Sequence, residues 1–184
     1  MRSSRELGLS SEAAQAGGAL PLDAVFRQFV AYVGAIGLRM LGRRDEVDDL
    51  VQDVFLAATR GLRQISDPGA VKAWLITVTL RLVRRRLRWR RLQARLGLDG
   101  AADYEEVADP SAPPDMKALL ARVYRALDEL PANQRIAWTL RYVQGERLET
   151  IAHMTDCSLA TVKRRIAAAS DMLRKTLVDG RAER

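Results

Sequence analysis

Between Asp99 and Asp115 the chain carries six carboxylates, three prolines and no Lys or Arg. A stretch so acidic and so poor in large apolar side chains cannot bury enough surface to offset the entropy of ordering it. It also interrupts a helical pattern that is present on both sides. The 184 residues are thereby divided into two short pieces, each sized for one modest core. The boundaries that follow are a disordered N-terminal tail at 1–20, a first domain at 21–96, a flexible acidic linker at 97–116, a second domain at 117–178 and a C-terminal tail at 179–184.

Both pieces read as helix, and the fold class is all-α. Pro21 and Asp23 open a first helix in which Val25, Phe26, Phe29, Val30, Val33, Ile36 and Met40 recur at helical spacing, with Gly42 as its stop. A second helix runs from about Asp45 to Leu62, with Val47, Leu50, Val51, Val54, Phe55 and Ala58 on its inner stripe. Ser66-Asp67-Pro68-Gly69 has turn chemistry. Val71, Trp74, Leu75, Val78 and Leu82 then line a third helix that runs into an arginine-rich end. Beyond the linker, Leu119, Leu120, Val123, Tyr124 and Leu127 mark a fourth. Pro131 begins a fifth, with Ile136, Ala137 and Leu140 inward and Gly145 near its end.

Near the C-terminus, Leu148, Ile151 and Ala152 mark the inner face of a short helix. Thr155-Asp156-Cys157 forms a turn, and Ser158 is a good N-cap for a longer helix with Val162, Ile166, Ala169 and Leu173 inside. Ala160, Arg164 and Ala167 point outward, flanked by Thr161 and Lys163. Small outward residues let such a helix approach a major groove closely, and cations beside them reach phosphates or guanine edges. The same spacing also suits a helical hairpin with a solvated basic face.

Charge placement adds two further surfaces. The net charge is +7 and the pI about 10.2, which favours an anionic partner such as nucleic acid. Arg81, Arg84, Arg85, Arg86, Arg88, Arg90, Arg91 and Arg95 crowd the end of the third helix, with Trp89 among them. Like charges this dense repel unless an anion meets them. Asp45, Glu46, Asp48, Asp49 and Asp53 gather on the second helix. The first of these suit a helix N-terminus, but Gln52 and Asp53 lie beyond the first turn and fit a docking face for a basic protein surface.

Several classes are excluded on sequence. Cys157 is the single cysteine, so no internal disulfide framework exists. His153 is the single histidine, and with Cys157 it makes at most half of a metal site, so no metal is expected. No phosphate-cradling glycine loop, nucleophile elbow or paired carboxylates are present, so neither an enzyme nor a cofactor is expected. No apolar run is long enough to span a bilayer, and Met1 to Leu20 lacks the pattern of a secretion signal. The expectation is a cytoplasmic protein without membrane insertion.

The ordered set of motifs resembles the extracytoplasmic-function (ECF) subfamily of bacterial RNA polymerase sigma factors. Asp48-Asp49-Leu50-Val51-Gln52-Asp53-Val54-Phe55-Leu56 is similar to their core-polymerase-binding helix. Trp74-Leu75 with the basic helix after it is similar to their promoter-melting, −10-reading helix. Leu130-Pro131-Ala132-Asn133-Gln134-Arg135, then Leu140-Arg141-Tyr142, Gly145, Ile151-Ala152, Ser158, Thr161-Val162-Lys163 and Arg165, resemble their −35-reading domain. The resemblance covers about Pro21 to Leu177.

The resemblance implies a region 2-like bundle and a region 4-like helix-turn-helix. It implies that Asp48, Asp49, Gln52 and Asp53 bind core polymerase. It implies that Ser66, Asp67, Gly69, Lys72, Arg81, Arg84, Arg85 and Arg88 contact single-stranded −10 DNA, part of it a flipped base. It implies that Ser158, Ala160, Thr161, Lys163, Arg164 and Arg165 read duplex −35 DNA. The implied partners are core RNA polymerase, promoter DNA and an anti-sigma factor, with a monomer when free. The family usually has asparagine where this chain has Arg81, and often a polar or acidic residue where it has Arg85. Pro68-Gly69 is unusual for the capture loop. The alternative is a helix-turn-helix regulator that binds duplex DNA and never joins the polymerase.

Overall fold

The computed structural model describes residues 21–65, 67–98, 104 and 111–182. Among them there is no strand. Seven α-helices follow in order: α1 (Leu22–Leu41), α2 (Arg44–Gly61), α3 (Val71–Arg95), α4 (Pro114–Asp128), α5 (Ala132–Tyr142), α6 (Leu148–Met154) and α7 (Leu159–Ala182). Two short 3₁₀ turns, Leu62–Gln64 and Pro68–Ala70, join α2 to α3.

Gly42 stops α1 by entering the left-handed region at φ 71°, where its N–H bonds to the Leu38 carbonyl at 2.8 Å. Only glycine takes that conformation without penalty. It also leaves room for a neighbour, since a Cβ there would sit 2.3 Å from the Tyr124 ring.

The first three helices pack together. Val25, Val33, Ile36 and Met40 of α1 are buried with Leu50, Val54 and Ala58 of α2 and with Val71, Leu75 and Val78 of α3. Each large apolar side chain so buried contributes about 1.5–3 kcal/mol. Phe26 departs from the expected inner stripe: it is 42% exposed and meets Phe55 edge-on at 4.8 Å. The expectation that no stretch could span a bilayer also needs correction. By length and composition α1 could, with 20 residues and mean hydropathy 1.3. Arg27 and Arg39 break its apolar sequence, and its inner stripe is packed in the protein core.

Helix α3 is apolar on more than the one face expected. Besides Val71, Leu75 and Val78, it buries Ile76, Thr79, Leu80, Val83 and Leu87. A helix buried on two sides has neighbours on both. Here α1 and α2 lie against α3, and so do α5 and α6 of the second half. The first core therefore continues into Ala132, Ile136, Ala137, Leu140, Ile151, Val162 and Ile166. A smaller cluster joins Ala121, Tyr124, Ala126, Leu127 and Leu130 to Ala169 and Leu173, with Tyr104 from the acidic stretch.

The expected N-terminal tail, most of the expected linker (99–103 and 105–110) and Ser66 lie outside the described residues. α4 begins at Pro114, three residues before the boundary read from sequence, because proline suits a first helical turn. α7 runs on to Ala182, into the segment read as a tail. One glycine, Gly180, is tolerated inside it.

Candidate nucleic-acid interface

The expected polymerase-binding residues share the outer side of α2. Asp48, Asp49 and Gln52 are exposed, together with Asp45 and Leu56. They fall on one face because residues three and four apart are neighbours on a helix. Asp53 stands apart. It accepts from Arg86 at 2.9 Å and from Arg85 at 3.3 Å, both on α3. Glu46 likewise accepts from Arg90 at 2.7 Å. Arg86 and Arg90 are mostly covered, at 17% and 11% side-chain exposure.

The arginine tail is thus two surfaces. Arg86 and Arg90 point inward and tie α3 to acidic α2, which supplies the anion that the sequence left unassigned. Arg81, Arg85, Arg88 and Trp89 are exposed. With Arg84 and Leu92 they line a shallow groove. Burial, then the charges of Arg88 and of Arg165 on α7, push the Arg84 guanidinium below its ordinary pKa. Cations from both halves of the chain therefore converge near this groove, and an anion placed there relieves their repulsion.

In the loop before α3, Asp67 accepts the Gly69 N–H at 2.8 Å. This Asx turn, with Pro68 fixing φ, makes the 3₁₀ turn that leads into α3. The unusual Pro68-Gly69 pair is accommodated there. Lys72 is exposed and lies over the Tyr32 ring, 5.0 Å from its centre, an arrangement in which the ring face attracts the ammonium.

In the second half, α6 and α7 form a helix-turn-helix. Asp156 takes the left-handed conformation of the turn at φ 49°, which Asp tolerates better than most residues. The Thr161 N–H donates to Ser158 Oγ at 3.2 Å, capping α7. Ser158, Ala160, Lys163 and Arg164 are exposed, and Thr161 is half-buried. Arg165 is half-buried and donates to Cys157 Sγ at 3.3 Å, so it braces the turn. Ser158→Ala is expected to cost about 1 kcal/mol, read as a lower urea midpoint at unchanged slope. His153 is exposed, and among the described residues no group of three or more His, Cys, Asp or Glu could hold a metal ion.

Residues 25–93 match the family Sigma-70 region 2, and residues 120–173 match Sigma-70, region 4. The ECF RNA polymerase sigma factor EcfG of Rhodopseudomonas palustris (strain TIE-1) is 32% identical over 148 residues, which cover 79% of this chain and 80% of that one. The chain belongs to the ECF sigma factors. This sigma factor is also 30% identical over 150 residues to the probable RNA polymerase sigma factor RfaY of Xanthomonas campestris pv. campestris. That match covers 79% of the chain but spans only 38% of RfaY. In three dimensions it is similar to CnrH, solved in complex with the cytosolic domain of CnrY. The TM-score is 0.61 at 28% identity, covering 96% of this chain and 99% of that one.

The motifs do not disclose the cluster that joins the two halves of the sigma factor. Arg135 was legible only as part of a −35-domain motif, yet it is 1% exposed. It donates through Nε to the Met40 carbonyl at 2.9 Å and through Nη2 to the Leu41 carbonyl at 3.1 Å. Its Nη1 meets the Asp128 carboxylate. Tyr104 also donates to Asp128. Burial, then that carboxylate, push the Tyr104 phenol well above its ordinary pKa, so it stays a neutral donor. A lone aromatic in the acidic stretch was the available sequence signal.

Proposed function

We propose that this sigma factor binds core RNA polymerase through the outer face of α2 and directs it to promoters. In this reading the α3 groove and the loop from Asp67 hold the single-stranded −10 element. Helix α7 enters the −35 major groove, with Ser158, Ala160, Lys163 and Arg164 toward the DNA. Arg85 divides its charge between DNA and Asp53, and Arg165 acts mainly by holding the turn. The protein works in the cytoplasm as a specificity subunit, without catalysis or cofactor of its own. An anti-sigma factor is a further partner, by similarity to CnrH with CnrY.

One observation carries this reading. An exposed acidic row with Leu56 in it lies on the same small, basic bundle as an arginine-lined groove and a capped helix-turn-helix. A duplex-binding regulator needs the last of these and has no use for the first. The test is reconstitution with bacterial core polymerase, followed by size-exclusion chromatography and run-off transcription on a pool of promoter fragments. Co-elution with promoter-dependent transcripts is expected. Tight duplex binding by the free protein without co-elution would favour the regulator instead.

Arg81→Asn is expected to change −10 base preference and leave polymerase binding unchanged. Arg81 is exposed at the groove, where a bulky cation replaces a small amide. Sequencing the transcripts obtained from a randomised −10 library checks this, and identical preferences in both proteins would remove Arg81 from the pocket.

A further inference from the structure

Arg88, Arg91 and Arg95 lie three and four residues apart, so they share one face of α3. They line a second cleft, of about 370 Å³, which borders the groove described above at Arg88 and Leu92. Its opposite wall is the start of α5, at Pro131, Ala132 and Asn133. No acidic side chain lines it. Arg88 and Arg95 are exposed and Arg91 is half-buried. Among the described residues none of the three has an ion-pair partner, unlike Arg85, Arg86 and Arg90 of the same helix.

The neighbouring arginines set the contrast. Arg91 also lines a cavity of about 60 Å³, with Arg43, Arg90 and Arg135. Those three cations are met. Glu46 pairs with Arg43 at 3.5 Å and with Arg90 at 2.7 Å, and Asp128 pairs with Arg135. In the cleft no carboxylate plays that part. The first turn of α5 has no side-chain cap, and a helix start carries partial positive charge. Three cations spaced to repel one another thus face a positive helix end, and one of them is partly withdrawn from water. A bound anion offsets both costs.

The shape selects the anion. At about 1.5 Å per residue the row from Arg88 to Arg95 is about 10 Å long, longer than one phosphate group. The volume is that of a small-ligand site, which a duplex cannot enter. Guanidinium forks hold phosphate oxygens in pairs.

We propose that the cleft between α3 and α5 binds an oligophosphate anion, free or carried by a nucleotide, with Arg88, Arg91 and Arg95 taking successive phosphate groups. This binding belongs to the free protein and is independent of the proposed sigma activity.

Isothermal titration calorimetry on the full chain at fixed ionic strength, with tripolyphosphate as the probe, tests it. One tripolyphosphate per chain is expected, with affinity weakened at least about tenfold by Arg91→Gln and by Arg95→Gln. Arg63→Gln removes the same charge from an exposed position on the turn after α2. It is expected to change affinity by no more than about twofold. Without ligand, Arg91→Gln should melt no lower than the parent, because it removes repulsion and breaks no pair. A lower melt would mean that a partner already meets Arg91, which overturns the proposal. No saturable binding, or equal weakening by Arg63→Gln, overturns it too. So does orthophosphate that binds as tightly as tripolyphosphate, since the row would then be unused. ATP distinguishes the two sources. Affinity no higher than that of tripolyphosphate assigns the free phosphate chain, and higher affinity assigns a nucleotide. A single-stranded oligonucleotide that binds more tightly than either, with the same loss on Arg91→Gln, would give the cleft to the nucleic-acid backbone and overturn the proposal.

Discussion

Charge reversal at Asp49 is expected to weaken binding to core RNA polymerase by at least about tenfold, or about 1.4 kcal/mol, with the fold intact. Asp49 is exposed on the same face as Asp48 and Gln52, and no described ion pair includes it. Asp49→Lys should therefore change stability by no more than about 0.5 kcal/mol, and its effect should appear in binding alone. Biolayer interferometry against immobilised core polymerase, beside a thermal melt, separates the two. Equal affinities for variant and parent would remove this face from the interface. Asp53 is a poorer probe, although the sequence places it in the same motif. Reversing it would break the pair with Arg86 and set like charges together between α2 and α3, so lost binding could follow from a disturbed bundle.

Gly42→Val is expected to be among the most damaging single substitutions, at about 2–5 kcal/mol. A β-branched residue at φ 71° is strained by about 1–2 kcal/mol. Its Cβ would also overlap the Tyr124 ring, and overpacking of this kind adds about 1–3 kcal/mol. For a chain of this size the melting temperature should fall by about 5–15 °C, followed by circular dichroism at 222 nm. An unchanged melt would mean that Tyr124 and Gly42 are not in contact in solution.

The helices were legible because local chemistry specifies them. Gly42 and Gly145 stop α1 and α5 by positive φ, Ser158 caps α7, and Asp67-Pro68-Gly69 forms a turn. The inner stripes of α2 and α7 followed from 3.6-residue spacing alone. Choice of partner across helices was not legible, because periodicity tells which side of a helix is covered and not what covers it. Arg86 and Arg90 lie four residues apart, one turn of α3, and Asp53 and Glu46 seven apart on antiparallel α2. Read along one helix, those arginines looked like part of a DNA surface. The second apolar stripe of α3, Ile76, Leu80, Val83 and Leu87, was open to view as well. It fell outside the single stripe drawn from Trp74, Leu75 and Val78, so the docking of α5 and α6 on α3 was missed.

The site was legible unevenly for the same reason. Residues proposed to act at the surface, such as Asp49 and Lys163, lie exposed outside the apolar pattern of their helices and are legible for that reason. Arg135 is buried, and its partners are the carbonyls of a helix about 95 residues earlier.

The covering of α3 on two sides also bears on how such a protein can diverge. Lys72, Ala73, Thr77, Arg81, Arg85, Arg88 and Trp89 are the positions of α3 up to Trp89 that stay exposed, and they form one narrow strip. Changes elsewhere on the helix over this stretch disturb a core, or an ion pair with α2. Apart from Arg85, which pairs with Asp53, changes along the strip leave the core and the ion pairs with α2 untouched, so variation is least costly to folding at the residues proposed to meet DNA. Arg81, where the family resemblance implies an asparagine, stands on that strip: under the proposed function, promoter preference can change there while the rest of the helix is held fixed by its neighbours.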